Sequence, residues 1–407
     1  MEEGRWKMTL VESFPSSRMT GASNRLERAA YFALLAFAAS LQVSIAAANI
    51  LLALTAILWL ALIITRRERV EVPAFFWPLL AYAGWTVVSA IASVEPEISL
   101  PDTKQLVLFA IVPIAYRLLR GERSLTAVDV VISVAALSAA IGIVQFGILK
   151  WSDRPQGALG MYMTFSGQLM LGACLVTARV LFWPRDRVWP MLVLPAIIVA
   201  LVTTASRNAW VGACVGIGLL LLIRDFRLVG ILPVLAALFI AVAPAQLTDR
   251  FYSMFQIQHG RSETSAMVSS VESNRDRIAM IKSGVRIIKD YPLTGVGPDM
   301  IIRLYPVYRD KNAVKQLNPH LHNVPIQIAA ERGLPALLAW LAFVVVLARD
   351  FIRQRRTAVI QFLPNAGLAC LAAMITAGMF EYNFGDSEFL MLFLLLMTLP
   401  YAAHKND

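Results

Sequence analysis

The chain is built from long apolar blocks separated by short polar breaks. A hydrocarbon core of about 30 Å needs roughly 20 apolar residues per helix. On that measure the blocks predict twelve membrane spans, at residues 29–46, 48–65, 74–93, 104–119, 125–149, 160–182, 188–205, 208–223, 228–245, 334–349, 358–380 and 386–402. One long polar interval, 88 residues from Gln246 to Gly333, separates the ninth span from the tenth. The pattern predicts an all-α polytopic membrane protein in five parts: an N-terminal segment 1–28, helices 1 to 9 over 29–245, a loop 246–333, helices 10 to 12 over 334–402, and a tail 403–407. No internal repeat or low-complexity tract is evident.

Composition excludes an ordinary soluble protein, with 58% hydrophobic residues, 16% charged residues and a mean hydropathy of +0.63. The first 28 residues carry Glu2, Glu3, Arg5, Lys7, Arg18, Arg25, Glu27 and Arg28 without an apolar core, so a cleavable signal peptide is not expected. Cys174, Cys214 and Cys370 lie singly in apolar stretches and read as small core residues.

The distribution of charge gives an orientation. With a cytoplasmic N-terminus, the inside loops hold fourteen arginines: Arg66, Arg67, Arg69, Arg117, Arg120, Arg123, Arg185, Arg187, Arg224, Arg227, Arg349, Arg353, Arg355 and Arg356. The short outside loops hold Lys150, Arg154 and Arg207, with Lys104 at a helix edge. This is the positive-inside bias, and it puts both termini in the cytoplasm and the polar interval outside. The interval holds twelve Lys and Arg against eight Asp and Glu. On a membrane protein, a basic outward pocket points to a phosphate-bearing lipid or lipid-linked substrate rather than nucleic acid.

Four places carry candidate chemistry. Arg207 interrupts the apolar run where the seventh and eighth spans meet, among Ala205, Ser206, Ala209 and Gly212, which leave room for a ligand. A snorkelling arginine is the alternative, but an ionisable residue near membrane depth is a functional candidate by default. Next, the apolar positions 278, 281, 285 and 288 predict a helix with Asn274 as its N-cap. Arg277, Lys282, Arg286 and Lys289 leave other faces, as in an amphipathic helix on a membrane surface. Arg277 would sit in the first turn, where a cation opposes the helix dipole and a bound anion would compensate it.

The third place is the tight turn Gly295-Val296-Gly297-Pro298-Asp299, where the glycines allow positive φ or close backbone approach. It lacks the strand, the third glycine and the Lys-Ser/Thr of nucleotide motifs, which argues against NAD and ATP. The fourth is His320-Leu321-His322-Asn323. Pro325 falls in the first turn of a helix ended by Gly333, so His322 lies at or just before a helix N-terminus. There the dipole favours a neutral imidazole, able to act as a general base. The alternatives are a capping or structural histidine, and a metal ligand with His320. No neighbouring Cys or carboxylate in the sequence completes a zinc set, so no metal is expected.

These residues together resemble the O-antigen ligase and polymerase superfamily of bacterial inner-membrane enzymes. Its large periplasmic loop carries an Arg, a Pro-x-x-Gly-x-Gly turn, a His-Asn and a Glu-x-Gly in that order. The matching positions are Arg277, Pro292, Gly295, Gly297, His322, Asn323, Glu331 and Gly333, with Ser206-Arg207 before the loop. One departure is Ile281, where the family often has Trp. The resemblance implies a GT-C-like fold and a glycosyltransferase that takes its glycan from undecaprenyl pyrophosphate. In the ligase branch the acceptor is a sugar hydroxyl of lipid A-core, which completes lipopolysaccharide at the periplasmic face of the inner membrane.

Under that reading His322 is the catalytic base. Arg207 and Arg277 bind pyrophosphate with Arg275 and Arg286 in reserve, and Asn323, Gly295, Gly297 and His320 support the site. The displacement is inverting and needs neither cofactor nor metal. An O-antigen polymerase and a protein O-oligosaccharyltransferase are close alternatives, and a lipid-linked glycan transporter is a more distant one. Glu381, Asp386 and Glu388 flank the last outward turn, either orienting a catalytic group or simply solvating the turn.

Overall fold

The computed structural model describes residues 21–149, 154–242, 248 and 265–404. The segment before residue 21, Lys150, most of the polar interval before Ser265 and the tail after His404 lie outside the described residues. Among the described residues the regular elements are helical: α1 (Gly21–Ser40), α2 (Ile45–Arg66), α3 (Phe76–Ile91), α4 (Pro96–Asp102), α5 (Ile111–Leu118), α6 (Arg123–Leu149), α7 (Tyr162–Phe182), α8 (Val188–Thr203), α9 (Arg207–Arg224) and α10 (Ile231–Val242). The loop and the last helices follow as α11 (Ser265–Asp290), α12 (Ile301–Tyr308), α13 (Val324–Thr357), α14 (Phe362–Gly378) and α15 (Ser387–His404).

By length and composition, seven segments among the described residues can cross a membrane: α2, Pro96–Leu118, α6, α7, α9, α13 and α15. The apolar helices α3, α8 and α14 are shorter. A helix overlaps each of the twelve predicted spans, with shifted boundaries. The first two spans divide at residues 41–44 rather than at 47, because the Ser44 side chain accepts a hydrogen bond from the Ala47 N–H and starts α2. The fourth predicted span is not one continuous α-helix. It runs as α4, a 3-10 stretch Thr103–Ala110 and α5, with Pro101 and Pro113 each lacking a backbone donor.

Helices α9 and α14 cross at small residues. A Cβ on Gly212 would lie 2.9 Å from the Ala373 carbonyl oxygen, and one on Gly216 would lie 2.8 Å from that of Ala369. Gly212 and Gly216, four residues apart on α9, therefore let its backbone lie directly on α14, a small-xxx-small contact. This corrects the expectation that Gly212 leaves space for a ligand. At one end of the bundle, Glu27 pairs with Arg66 at 2.6 Å and Arg123 at 2.8 Å, and Glu68 pairs with Arg117 at 2.6 Å. The arginines of two predicted inside loops are thus tied to α1.

The polar interval has a small apolar core of its own. Met280, Ile287, Val296, Met300, Ile301, Tyr305, Leu321 and Ala330 are buried together. Helix α11 starts earlier than predicted, so Asn274 lies inside it and is not an N-cap. Arg277 is consequently mid-helix, and the dipole argument for an anion beside it no longer applies. The predicted apolar face is also displaced. Asp276, Ala279, Met280, Ser283, Gly284 and Ile287 face inward, whereas Ile278 is 57% exposed. Gly284 decides the face, because Ile326 and Leu321 pack where its side chain would be.

Candidate active site

The Pro292-to-Asp299 turn is the joint between loop and membrane bundle. Its backbone docks on the end of the first part of α13: the Val296 N–H donates to the Ala330 carbonyl at 3.0 Å and the Gly297 N–H to the Glu331 carbonyl at 2.8 Å. Side chains on and after α3 hold the other side. Trp85 Nε1 donates to the Leu293 carbonyl at 3.1 Å, Ser89 Oγ to that of Glu331 at 2.9 Å, and Ser99 Oγ to that of Pro298 at 2.7 Å. Gly295 (φ 65°) and Gly297 (φ 104°) have positive φ. A Cβ on Gly295 would collide with the Glu331 backbone, and one on Gly297 with the hydroxyls of Ser93 and Ser99. These glycines permit close backbone approach, and the carbonyl of Glu331 takes two donors.

Gly333 breaks α13 in two (φ 80°, ψ 171°). The first part, residues 324–332, begins with Asn323 as N-cap and Pro325 in the first turn. Asn323 Oδ1 accepts from the Ile326 N–H at 3.0 Å, while its Nδ2 donates to the Met379 carbonyl at 3.0 Å. The cap thereby fastens this helix to the turn after α14. His322 precedes the cap in the left-handed region, with φ 48°, a conformation costing a non-glycine residue about 1–3 kcal/mol. The Gln327 side chain helps hold it by accepting from the Leu321 N–H at 2.6 Å.

That strained backbone points the His322 ring at Glu381. Nδ1 lies 2.8 Å from Glu381 Oε1, and the same oxygen accepts from the Tyr382 N–H at 3.0 Å. Burial pushes the Glu381 carboxyl up, but the His322 hydrogen bond, both neighbouring imidazoles and the Tyr382 N–H outweigh it and leave the group below its ordinary value. Glu381 is therefore an ionised acceptor. It favours the tautomer with hydrogen on Nδ1, which leaves the Nε2 lone pair available. His320 Nε2 is 3.6 Å from Glu381 Oε1, and its ring centroid is 4.6 Å from that of His322. Burial first, and the neighbouring His322 second, lower the proton affinity of His320.

His320 and Glu381 line a cavity of ≈ 720 Å³ between loop and bundle, with Asn49, Gln105, Thr164, Asn208, Ala209 and Tyr382 also on its wall. Six carboxylates reach this wall, from Asp102, Asp299, Glu331, Glu381, Asp386 and Glu388, against Lys104 and Arg332. A basic pocket was expected, and the described wall is instead mostly acidic. Fully buried Glu331 and Arg332 neutralise one another there. Glu331 Oε1 accepts from the Asp299 N–H at 3.1 Å, and Arg332 also reaches the Tyr382 hydroxyl at 3.1 Å.

The predicted cations fall into two groups. Arg277 is partly buried on α11. Burial lowers its proton affinity, and the charges of Glu381 and Tyr162 act against that, so it lies within electrostatic range of the His322–Glu381 pair. Arg207 is the first residue of α9, directly before the cavity residues Asn208 and Ala209. Arg275 is exposed and reaches Asn312 Oδ1 at 3.5 Å. Arg286 pairs with Asp310 at 2.8 Å and donates to the Tyr308 carbonyl at 3.2 Å, stapling the segment after α12. The partner that sequence reasoning left unassigned is Glu381. Its position in the polar turn between the last two helices was the available signal, and the chain separation of 59 residues from His322 hid the contact.

An imidazole with one nitrogen held by a carboxylate that lines a cavity, and in range of a guanidinium, suits proton abstraction from a hydroxyl. Residues 190–341 match the family model for O-antigen ligase. That match supports assignment to the O-antigen ligase superfamily, and it implies a ligase or polymerase type of glycosyl transfer. Members of that family are inner-membrane proteins whose partners are, in general, lipid-linked glycans and lipid A-core. The matched residues include Arg207, Arg275, Arg277, Arg286 and His322, whereas Glu381 lies beyond them. No curated protein matches the chain.

Proposed function

We propose that this protein transfers a glycan from undecaprenyl pyrophosphate to a sugar hydroxyl of lipid A-core. His322 Nε2 removes the acceptor proton as the hydroxyl oxygen attacks the anomeric carbon, and Glu381 stabilises the imidazolium that forms. The bond from that carbon to the pyrophosphate oxygen breaks on the opposite face, giving inversion. Pyrophosphate leaves as a stable anion, so departure needs fixed positive charge more than a proton. Arg277 and Arg207 supply it, and their forked donors suit phosphate oxygens. No metal takes part in this sequence of steps. Arg275 and Arg286 hold the loop in shape.

The contact of His322 Nδ1 with Glu381 at 2.8 Å carries this reading, because it leaves Nε2 able to accept a proton on a histidine held by a carboxylate that lines the cavity. The acidic wall favours a polyhydroxyl acceptor, since carboxylates accept hydrogen bonds from sugar hydroxyls. The charge bias of the loops supports a periplasmic site with cytoplasmic termini. The test is to incubate purified protein with lipid-linked glycan and lipid A-core, without nucleotide, and to look for the joined product. His322→Ala is expected to abolish transfer while retaining donor binding. Wild-type turnover in that variant would remove His322 as the base. Extension of the lipid-linked glycan itself would identify a polymerase.

A further inference from the structure

The His322–Glu381 pair has a third member. One ring nitrogen each of His320 and His322 and a Glu381 carboxylate oxygen lie within 4.8 Å of one another. His322 Nδ1 and His320 Nε2 approach Glu381 Oε1 at 2.8 Å and 3.6 Å. A tetrahedral zinc site with bonds near 2.0–2.1 Å has ligand atoms about 3.3 Å apart, a value those distances bracket. The distance between the two histidine nitrogens closes by rotation of the partly exposed His320 ring. Two further observations point to a cation. Glu381 is 7% exposed, and its Oε2 is buried without a hydrogen-bond partner among the described residues, leaving anionic capacity that the histidines do not use. The cavity beside His320 and Glu381 leaves a fourth coordination position open.

We infer that His320, His322 and Glu381 bind one zinc-type transition-metal ion, and that its binding switches the site off. The chemistry rests on the proposed role of His322 as base. In the active form the Nδ1 hydrogen is bonded to Glu381, and the lone pair is on Nε2. A metal ion taken up by Nδ1 needs the lone pair there, so the proton moves from Nδ1 to Nε2. The ring stays neutral and no proton is lost, but Nε2 now carries hydrogen and cannot accept the acceptor's proton. The carboxylate that stabilised the imidazolium becomes a metal ligand. Magnesium and calcium prefer all-oxygen sites and compete poorly for two imidazoles.

The experiment uses the full chain in detergent micelles, titrated with zinc chloride by calorimetry without substrate, with magnesium and calcium chloride alongside. Cobalt(II) serves as a spectroscopic probe of tetrahedral coordination. One saturable zinc site per chain is expected, and His320→Gln should weaken it by roughly tenfold or more, with loss of the cobalt spectrum. His322→Gln is a second variant with the same expected loss, and melting temperatures check that each is folded. In the transfer assay, zinc should stop turnover in proportion to site occupancy and a chelator should restore it. Absence of a saturable site, or unchanged zinc affinity in both folded variants, would overturn the site. Full turnover at full occupancy would overturn the switch. A zinc site in a protein with no transfer activity would refute the proposed function alone, since binding is read without substrate.

Discussion

Replacing Glu381 separates the two contributions it makes to the candidate base. In Glu381→Gln the amide oxygen can stand where Oε1 stands, still accepting from the Tyr382 N–H and from His322 Nδ1, so the tautomer survives and only the negative charge is lost. The 2.8 Å contact puts the charge centres of imidazolium and carboxylate about 4 Å apart, which at an effective dielectric of 20 is worth about 4 kcal/mol. With proton transfer half complete in the transition state, about half of this applies to the barrier, a slowing of roughly 30-fold. Glu381→Ala loses orientation as well as charge, and should slow transfer by about 10² to 10⁴. The assay is single-turnover transfer at saturating donor, alongside donor binding and thermal melting. The new amide hydrogens would sit at the unpartnered Oε2 position, so a stability loss of about 1–3 kcal/mol is expected in the Gln variant. Turnover within threefold of wild type for both variants would refute the pair as a catalytic unit. Equal losses in both would show that charge, and not orientation, is the whole contribution.

Three further outcomes follow from the same geometry. Arg277→Lys and Arg207→Lys keep the charge but lose the forked donors, so each should reduce transfer by tenfold or more; full activity in both would count against a pyrophosphate clamp. Gly297→Ala should destabilise the folded protein by more than the roughly 1–3 kcal/mol of backbone strain, because its Cβ meets the Ser93 and Ser99 hydroxyls as well. An unchanged melting temperature in detergent would show that the turn can move. Arg286→Ala should lower stability by releasing the Asp310 segment and leave donor affinity near wild type, whereas a large loss of donor affinity would restore Arg286 as a ligand residue.

The membrane helices were legible because length and hydropathy act locally. What was misplaced were their joints, where single interactions decide: the Ser44 cap, and the prolines of the fourth span. In the loop, the end of the helix at Gly333 and the position of His322 just before its cap could be read from Asn323, Pro325 and Gly333 themselves, since these residues act on their own backbone. The face of α11 could not. Ile278, Ile281, Val285 and Ile288 form a regular apolar stripe, yet a different face is buried because Gly284 admits Leu321 and Ile326, a fact of tertiary packing. The contact of Glu381 with His322 and the acidic wall were not legible for the same reason: the carboxylates reach the site from α4, the turn before α12, the first part of α13, the turn after α14 and the start of α15.

The docking of the Pro292-to-Asp299 turn bears on modularity. The loop lies in one stretch of chain and invites exchange between related enzymes as a cassette. Yet Trp85, Ser89, Ser93 and Ser99, between 199 and 242 residues upstream, donate to its carbonyls, and Asn323 is fastened to the turn after α14. A grafted loop would arrive without its socket. The unit that can be inherited or engineered as a whole is the loop together with the C-terminal end of α3, α4 and the turn after α14, so recombination that respects only the loop's ends should yield inactive chimaeras.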